Sequence, residues 1–362
     1  MFMNYLFLLL SVLFIQACSS DDDGMEEVIE PVVMDVEVGG PDEPYSVYVN
    51  LREASQTKVG RDSWDLGFYS GADDFRVVLN PGAYMMAQSL ESNDLSAVSS
   101  QDTIGMSEKM DQFSIFNAVI QNPPPQWLEE STFWIDNSNG DISETAIEEV
   151  SSTDAENQVY IVNRGWSVNE SPRGWMKISV LRSGGGYELQ YAELDSEEYQ
   201  TAQISKDSDY NFTFFNFDSG VVSVEPPKDE WQLCFSSGLS LFNFRGFVVP
   251  YGFRDYVFHN RYGVEVAEVL YEDESVDILA EYEAFDVSDL NTIDFNPEIS
   301  TIGSGWRSVG NPQTGGVTGV RSDRFYVIQD ADGIHYKLLF AGMLNETGER
   351  GYPSVLFERI TL

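Results

Sequence analysis

One phrase is written twice in this chain. SWDLGFYSG at residues 63–71 returns as EWQLCFSSG at 230–238, and the matches Trp64/Trp231, Phe68/Phe235 and Gly71/Gly238 keep a single spacing of 167 residues (231 − 64). A repeat of that period restricts the fold to two copies of one domain-sized unit. A second landmark agrees, since Tyr160 in QVYIVNRG and Tyr326 in RFYVIQDADG are 166 apart (326 − 160). Each copy is expected to run from a Trp-centred strand, through a long middle stretch, to a Tyr-centred strand. A closing aromatic strand follows, YNFTFFNF (210–217) in the first copy and YPSVLFERI (352–360) in the second. SGGGYELQYAELD (183–195) reads as a hairpin inserted in the first copy. The expected lobes are residues 46–218 and 219–362.

The local patterns are those of strands. VYVNL (47–51) alternates Val47, Val49 and Leu51 with Tyr48 and Asn50, and FYVIQ and IHYKLLF flank the turn DADG, whose Gly333 supplies the positive φ a hairpin needs. Short strands punctuated by Gly, Asn and Asp predict an all-β fold, two tandem lobes of β-sandwich type. The acidic stretch 270–300 is expected to be a surface loop or a short helix. Its counterpart at 100–150 contains PPP at 123–125, which argues against regular structure there.

The N-terminus is a separate segment. Residues 1–17 carry no charge and one apolar run, and Ile15-Gln16-Ala17-Cys18 resembles a bacterial lipobox. Residues 1–17 are therefore expected to be a signal peptide and Cys18 the lipidated residue. The acidic SSDDDG that follows resembles a surface-export signal of Bacteroidetes lipoproteins, and residues 18–45 are expected to be a solvated, flexible tether. Lipidation makes the chain anchored to a membrane, not spanning it. Cys234 is the one other cysteine, so no disulfide follows once Cys18 is lipidated. A formal charge of −40 argues against nucleic acid and against anionic lipid surfaces as partners.

The strands at 47–80, VYVNL, SWDLGF and FRVVLN, together with RFYVIQDADGIHYKLLF and the closing strand at 324–360, resemble the HmuY family of haem-binding outer-membrane lipoproteins of Bacteroidetes. The resemblance implies a β-sandwich-like fold and lipid anchoring at the outer membrane, facing the cell exterior. It also implies a non-enzymatic role in iron acquisition, in which haem or a related tetrapyrrole is captured, from free haem or a host haemoprotein, and passed to a TonB-dependent receptor. The alternative is that the scaffold binds a glycan or a partner protein instead.

The family's haem donors do not carry over directly, because the loop 305–323 that corresponds to a ligand-bearing loop holds neither His nor Met. Iron needs a soft or borderline donor, and two His, ten Met and one free Cys are the candidates. His335, alternating with Lys337 and Leu339, reads as an exposed strand residue. His259 ends an aromatic strand, DYVFH, at the entry to a turn, and is the expected axial ligand. Aligning AYMMA with DYVFH makes Met85 and Met86 the candidate partners from the first lobe. The sequence carries no Gly-x-Ser-x-Gly elbow, HExxH or P-loop, and no enzymatic activity is expected.

Overall fold

The computed structural model describes residues 30–272, 275–310 and 317–361; the signal segment and Cys18 lie outside them. The described chain opens with β1 (Val32–Asp35) and the hairpin β2 (Tyr45–Asn50) and β3 (Ser55–Gly60). It continues through β4 (Leu66–Tyr69), β5 (Val77–Leu79), β6 (Met86–Ser89), helix α1 (Gln112–Val119), β7 (Tyr160–Asn163), β8 (Trp175–Ser183) and β9 (Gly186–Glu193). A second triplet follows: β10 (Gln200–Ile204), β11 (Phe212–Asn216) and β12 (Gly220–Val222). Then come β13 (Leu233–Phe244), β14 (Phe247–His259), β15 (Glu265–Leu270) and helix α2 (Ile278–Ala284). The chain closes with the two-residue strands β16 (Arg307–Ser308) and β17 (Gly319–Val320), then β18 (Arg324–Gln329), β19 (His335–Leu344) and β20 (Arg350–Arg359).

Apart from the small β16–β17 ribbon, these strands form two five-stranded and two four-stranded sheets, and the sheets correspond in pairs. The order β10-β9-β8-β7-β6 matches β1-β20-β19-β18-β15, and β12-β11-β4-β5 matches β3-β2-β13-β14. All the pairings are antiparallel. The registers correspond too. Leu66 of the first phrase sits opposite Phe215 of β11, and its counterpart Leu233 sits opposite Val49 of β2.

The strand triplets are thus exchanged. β1, β2 and β3 complete the sheets of the second half, whereas β10, β11 and β12 complete those of the first. The sheets do not divide at 218/219, and from Pro31 onward the chain forms one compact unit. Val47, Val49 and Leu51 share a core with Phe235, Val257 and Phe340, while Phe215 and Phe217 share another with Leu66, Phe68 and Val162. Each such side chain contributes about 1.5–3 kcal/mol by burial, so each half is held together partly by residues of the other.

This arrangement corrects several expectations. Residues 32–45 are not tether, because β1 pairs with β20 and Met34, Val36 and Val38 are buried in the second core. Their period-two alternation is interrupted only by acidic residues facing outward. The strand corresponding to β20 is β9, not β11, so the hairpin at 183–195 is a native part of the unit and not an insertion. Helix α1 forms within 100–150 because Asp111 caps it, its carboxylate accepting bonds from the Phe113 and Ser114 amides, ahead of the prolines. The outer face of β19 is covered as well. Lys337 and Leu339 are buried, and the Lys337 Nζ donates to the Tyr282, Glu283 and Phe285 carbonyls at the end of α2. The expected positive φ at Gly333 is present, at 76°.

The exchange yields a direct prediction. Val49→Ala should lower the stability of the folded unit by about 2 kcal/mol and Phe215→Ala by about 3–5 kcal/mol, read from urea denaturation. A wild-type midpoint for Val49→Ala would mean that β2 does not close the second-half core.

Candidate functional site

The two Trp residues of the repeated phrase precede β4 and β13, and both are buried in one aromatic cluster. Each Trp meets an aromatic ring from an exchanged hairpin edge-on. Trp231 and Tyr48 have ring centroids 4.9 Å apart at 80°, and Trp64 and Phe214 have them 4.8 Å apart at 74°. A buried Asn fixes the chain at each Trp: Asn80 Nδ2 donates to the Trp64 carbonyl and Asn260 Nδ2 to the Trp231 carbonyl, both at 2.9 Å. These two asparagines also bind the next turn through Oδ1, from the Gly82 and Tyr262 amides respectively.

Between these pairs lies a cavity of about 170 Å³, lined from both four-stranded sheets and by the segment around 135–145. Trp64, Leu79 and Phe214 face it from one sheet, and Tyr48, Trp231 and His259 from the other. The segment over it is tied down by Asp136, whose carboxylate accepts the Leu79 and Ala146 amides, and by the Arg261 guanidinium, which donates to the Gly140 carbonyl. Arg261 also lies 4.9 Å from the Phe212 ring.

His259 and Met85 both line this cavity, but Met86 does not. Successive strand residues point to opposite faces, and Met86 is packed in a separate cluster with Met110, Ile115 and Trp134. The alignment of AYMMA with DYVFH is also corrected by register. Leu66 pairs with Leu79 and Leu233 with His259, so His259 occupies the position of Leu79. His259 is enclosed, with 1 % of its surface exposed, and does not stand at an open loop mouth. His335 lies elsewhere, half-buried beside Phe295, with Nε2 3.1 Å from Gln329 Oε1.

Sequence reasoning missed Arg261, Glu225 and Asp136 on the cavity wall, since nothing local distinguishes them from the other charged residues. Position by position, the second-half wall is the polar one, with His259 where the first half has Leu79 and Arg261 where it has Pro81. Burial pushes the His259 pKa down, against the pull of the Asn260 and Glu298 carbonyls, so the ring is neutral. Its Nδ1 lies 3.2 Å from the Asn260 carbonyl, which only accepts, so Nδ1 carries the proton and Nε2 keeps a bare lone pair. That Nε2 has no hydrogen-bond partner, and neither has the buried Trp231 Nε1. Orphans of this kind cost about 1–3 kcal/mol each.

Glu225 is 8 % exposed and accepts the Asn211 and Phe212 amides, yet burial still pushes its pKa up to about 7. A carboxyl raised above its unfolded value stabilises the fold below that unfolded value, and the contribution is lost as pH rises through the folded one. Unfolding free energy should therefore fall between pH 5 and pH 8. Glu225→Gln should remove up to about 3 kcal/mol of that fall, read from urea titrations of both proteins at the two pH values. An equal fall in the variant would refute the assignment.

Known proteins bear on the chain as follows. The model of the HmuY protein family matches residues 42–357. Among solved structures, a putative lipoprotein from Bacteroides fragilis is 17 % identical, covering 46 % of this chain and 80 % of its own, with a TM-score of 0.21. A putative HmuY-like haem-binding protein from Bacteroides vulgatus is 13 % identical, covering 47 % of this chain and 84 % of its own, with a TM-score of 0.22. The apo form of PinO from Porphyromonas gingivitis is 14 % identical, covering 48 % and 90 % respectively, with a TM-score of 0.21. No curated protein matches the chain. The family model spans most of the described sequence, including both Trp phrases and every strand from β2 to β19, and the chain belongs to the HmuY family.

Proposed function

We propose that this protein is a non-enzymatic binding protein of the haem class, anchored by a lipid on Cys18 at the outer membrane and facing outward. Membership of the HmuY family supports a haem-type ligand. The observation in the fold that carries the reading is His259, a neutral imidazole whose Nδ1 is held by a carbonyl while Nε2 is bare, in an aromatic cavity that Met85 also lines. Both are legitimate iron donors.

The donors fit haem, but the space does not. A cavity of about 150 Å³ holds one benzene, so the cavity of about 170 Å³ has room for one ring and not for a macrocycle. Haem would be accommodated here only with the segment 135–145 displaced. That segment is held over the cavity by the Asp136 and Gly140 contacts rather than by a strand ladder.

Haemin titration of the purified mature protein should shift the Soret band. His259→Leu, which copies Leu79 of the other half, should abolish the shift with the fold intact. A parent protein without a Soret change overturns the haem reading; a variant with the parental spectrum overturns the site. For the anchor, Cys18→Ser should release the protein from the membrane fraction of cells, and continued membrane association would refute lipidation.

A further inference from the structure

We infer that two copies of this chain associate about a two-fold axis, through the free edge of the β13–β14 ribbon and the aromatic face beside it. This surface goes beyond the haem reading and does not rest on it, since none of the residues that form it lines the cavity.

The strands set the shape. β13 pairs with β2 only from Leu233 to Phe235, whereas its ladder with β14 runs on to Phe244 opposite Phe247. Arg245 and Gly246 close the hairpin with φ of 55° and 91°, the two-residue turn that suits such a ribbon. From Ser240 to Phe244 the second edge of β13 is therefore without a strand, and among the described residues no further backbone hydrogen bond reaches it. Exposed edges are commonly guarded by Pro or by charge. β14, at one edge of this sheet, carries Pro250 and Arg254, and β3, at the other, carries Lys58. β13 has neither Pro nor a charged residue along its whole length.

Composition singles out the same place. The chain is 22 % charged with a formal charge of −40, yet residues 112–128 hold no charge and 239–253 hold only Arg245. The rings there are continuous. The Phe242 centroid lies 5.5 Å from that of Tyr251, and Phe116 of α1 lies 6.2 Å from Tyr251 and 5.6 Å from Phe244. Phe116, Leu241, Phe242, Val248 and Tyr251 are each 38–47 % exposed, together roughly 400 Å² of apolar surface. A dimer of standard size takes about 800 Å² from each partner, a little over half of it apolar.

Charge selects the occupant. A basic partner is drawn to the acidic remainder of the surface and not to a face without acids. A second copy is repelled elsewhere and can approach through such a face, and it brings the same free edge. Two β13 edges related by a two-fold axis run antiparallel, so each supplies the ladder bonds that the other lacks.

Sedimentation equilibrium and light scattering of the mature Cys18→Ser protein test this without the lipid. The parent should be a dimer at micromolar concentration. Its association should tighten as salt is raised from about 0.05 to about 0.5 M, because salt screens the repulsion between two acidic bodies. Phe242→Glu and Leu241→Lys should each raise the dissociation constant about a hundredfold, since each substitution acts twice across the axis. Val221→Glu, at an exposed apolar position on β12, should leave it within about twofold. A parent that stays monomeric at about 100 µM in high salt overturns the proposal, and so does an equal loss with Val221→Glu. A monomer that floats with phosphatidylcholine vesicles assigns the face to a bilayer and overturns it as well.

Discussion

Each four-stranded sheet is closed by a hairpin from the other half of the sequence, and the rest of the molecule depends on that pairing. Without β2, the row of amides and carbonyls on β13 from Leu233 to Phe235 would lie at an open edge, and β4 would be left likewise without β11. The exchange has the form of a domain swap made within one chain, and we read the matched sheet orders as the trace of a duplicated unit. One latch at each crossing shows how far the correspondence reaches. The Leu51 amide donates to Gln232 Oε1 at 2.7 Å, and the Phe217 amide donates to Asp65 Oδ2 at 2.9 Å.

The two latches differ in what they demand of their surroundings. Gln232 is neutral and needs no counter-charge. Asp65 is fully buried and ionic, and Arg164 and Arg173 stand 3.0 and 2.9 Å from its oxygens. Such a pair returns little net stability against its desolvation, but removing one partner strands a buried charge. The second half carries its own ionic knot at Asp255, which meets Arg350 and accepts no help from Glu43. Both Glu43 oxygens instead accept the Asp255 amide, and burial together with the nearby Asp255 carboxylate pushes the Glu43 pKa up to about 8. Glu43 lies between β1 and β2, so this contact fastens the exchanged triplet to β14 at a third point.

Much of this was legible in the sequence, and the parts that were not share a cause. The Trp phrase announced the repeat because a buried Trp with its Asn clamp tolerates little variation in place. The DADG turn was legible because Gly333 needs a positive φ that other residues avoid. Pairing partners were hidden, since nothing in YSVYVN says that its neighbour lies beyond residue 230. β1 was hidden by its own composition: Asp35 and Glu37 alternate with Met34, Val36 and Val38 and read as a solvated run, though the burial alternates with them. For the site, Phe258 is the aromatic sequence neighbour of His259 that lines the cavity, and the other rings there, among them Tyr48 and Trp231, come from distant parts of the chain. The proposed equivalence of His259 with the Met pair failed because β13 and β14 extend well past the length of β4 and β5, which shifts every later position in the second copy.

That unequal growth bears on why one wall of the cavity became polar and the other did not. In the first half, β5 is three residues long, and Leu79 and Pro81 pack at its end as part of the closing turn. In the second half, β14 is a thirteen-residue strand that pairs with β13 along its length, and only Phe258 and His259 at its C-terminal end line the cavity. Its register is fixed by many ladder bonds upstream, so His259 is held in place by the strand, while Arg261 just beyond it packs on Phe212 and ties down Gly140. Polar side chains at the end of such a strand cost the fold their own desolvation and little else, and the same substitutions at Leu79 would unseat the turn. A duplicated fold with one reinforced strand thus has a wall on which buried hydrogen-bonding groups can be kept for a ligand, opposite a wall that keeps the seam closed.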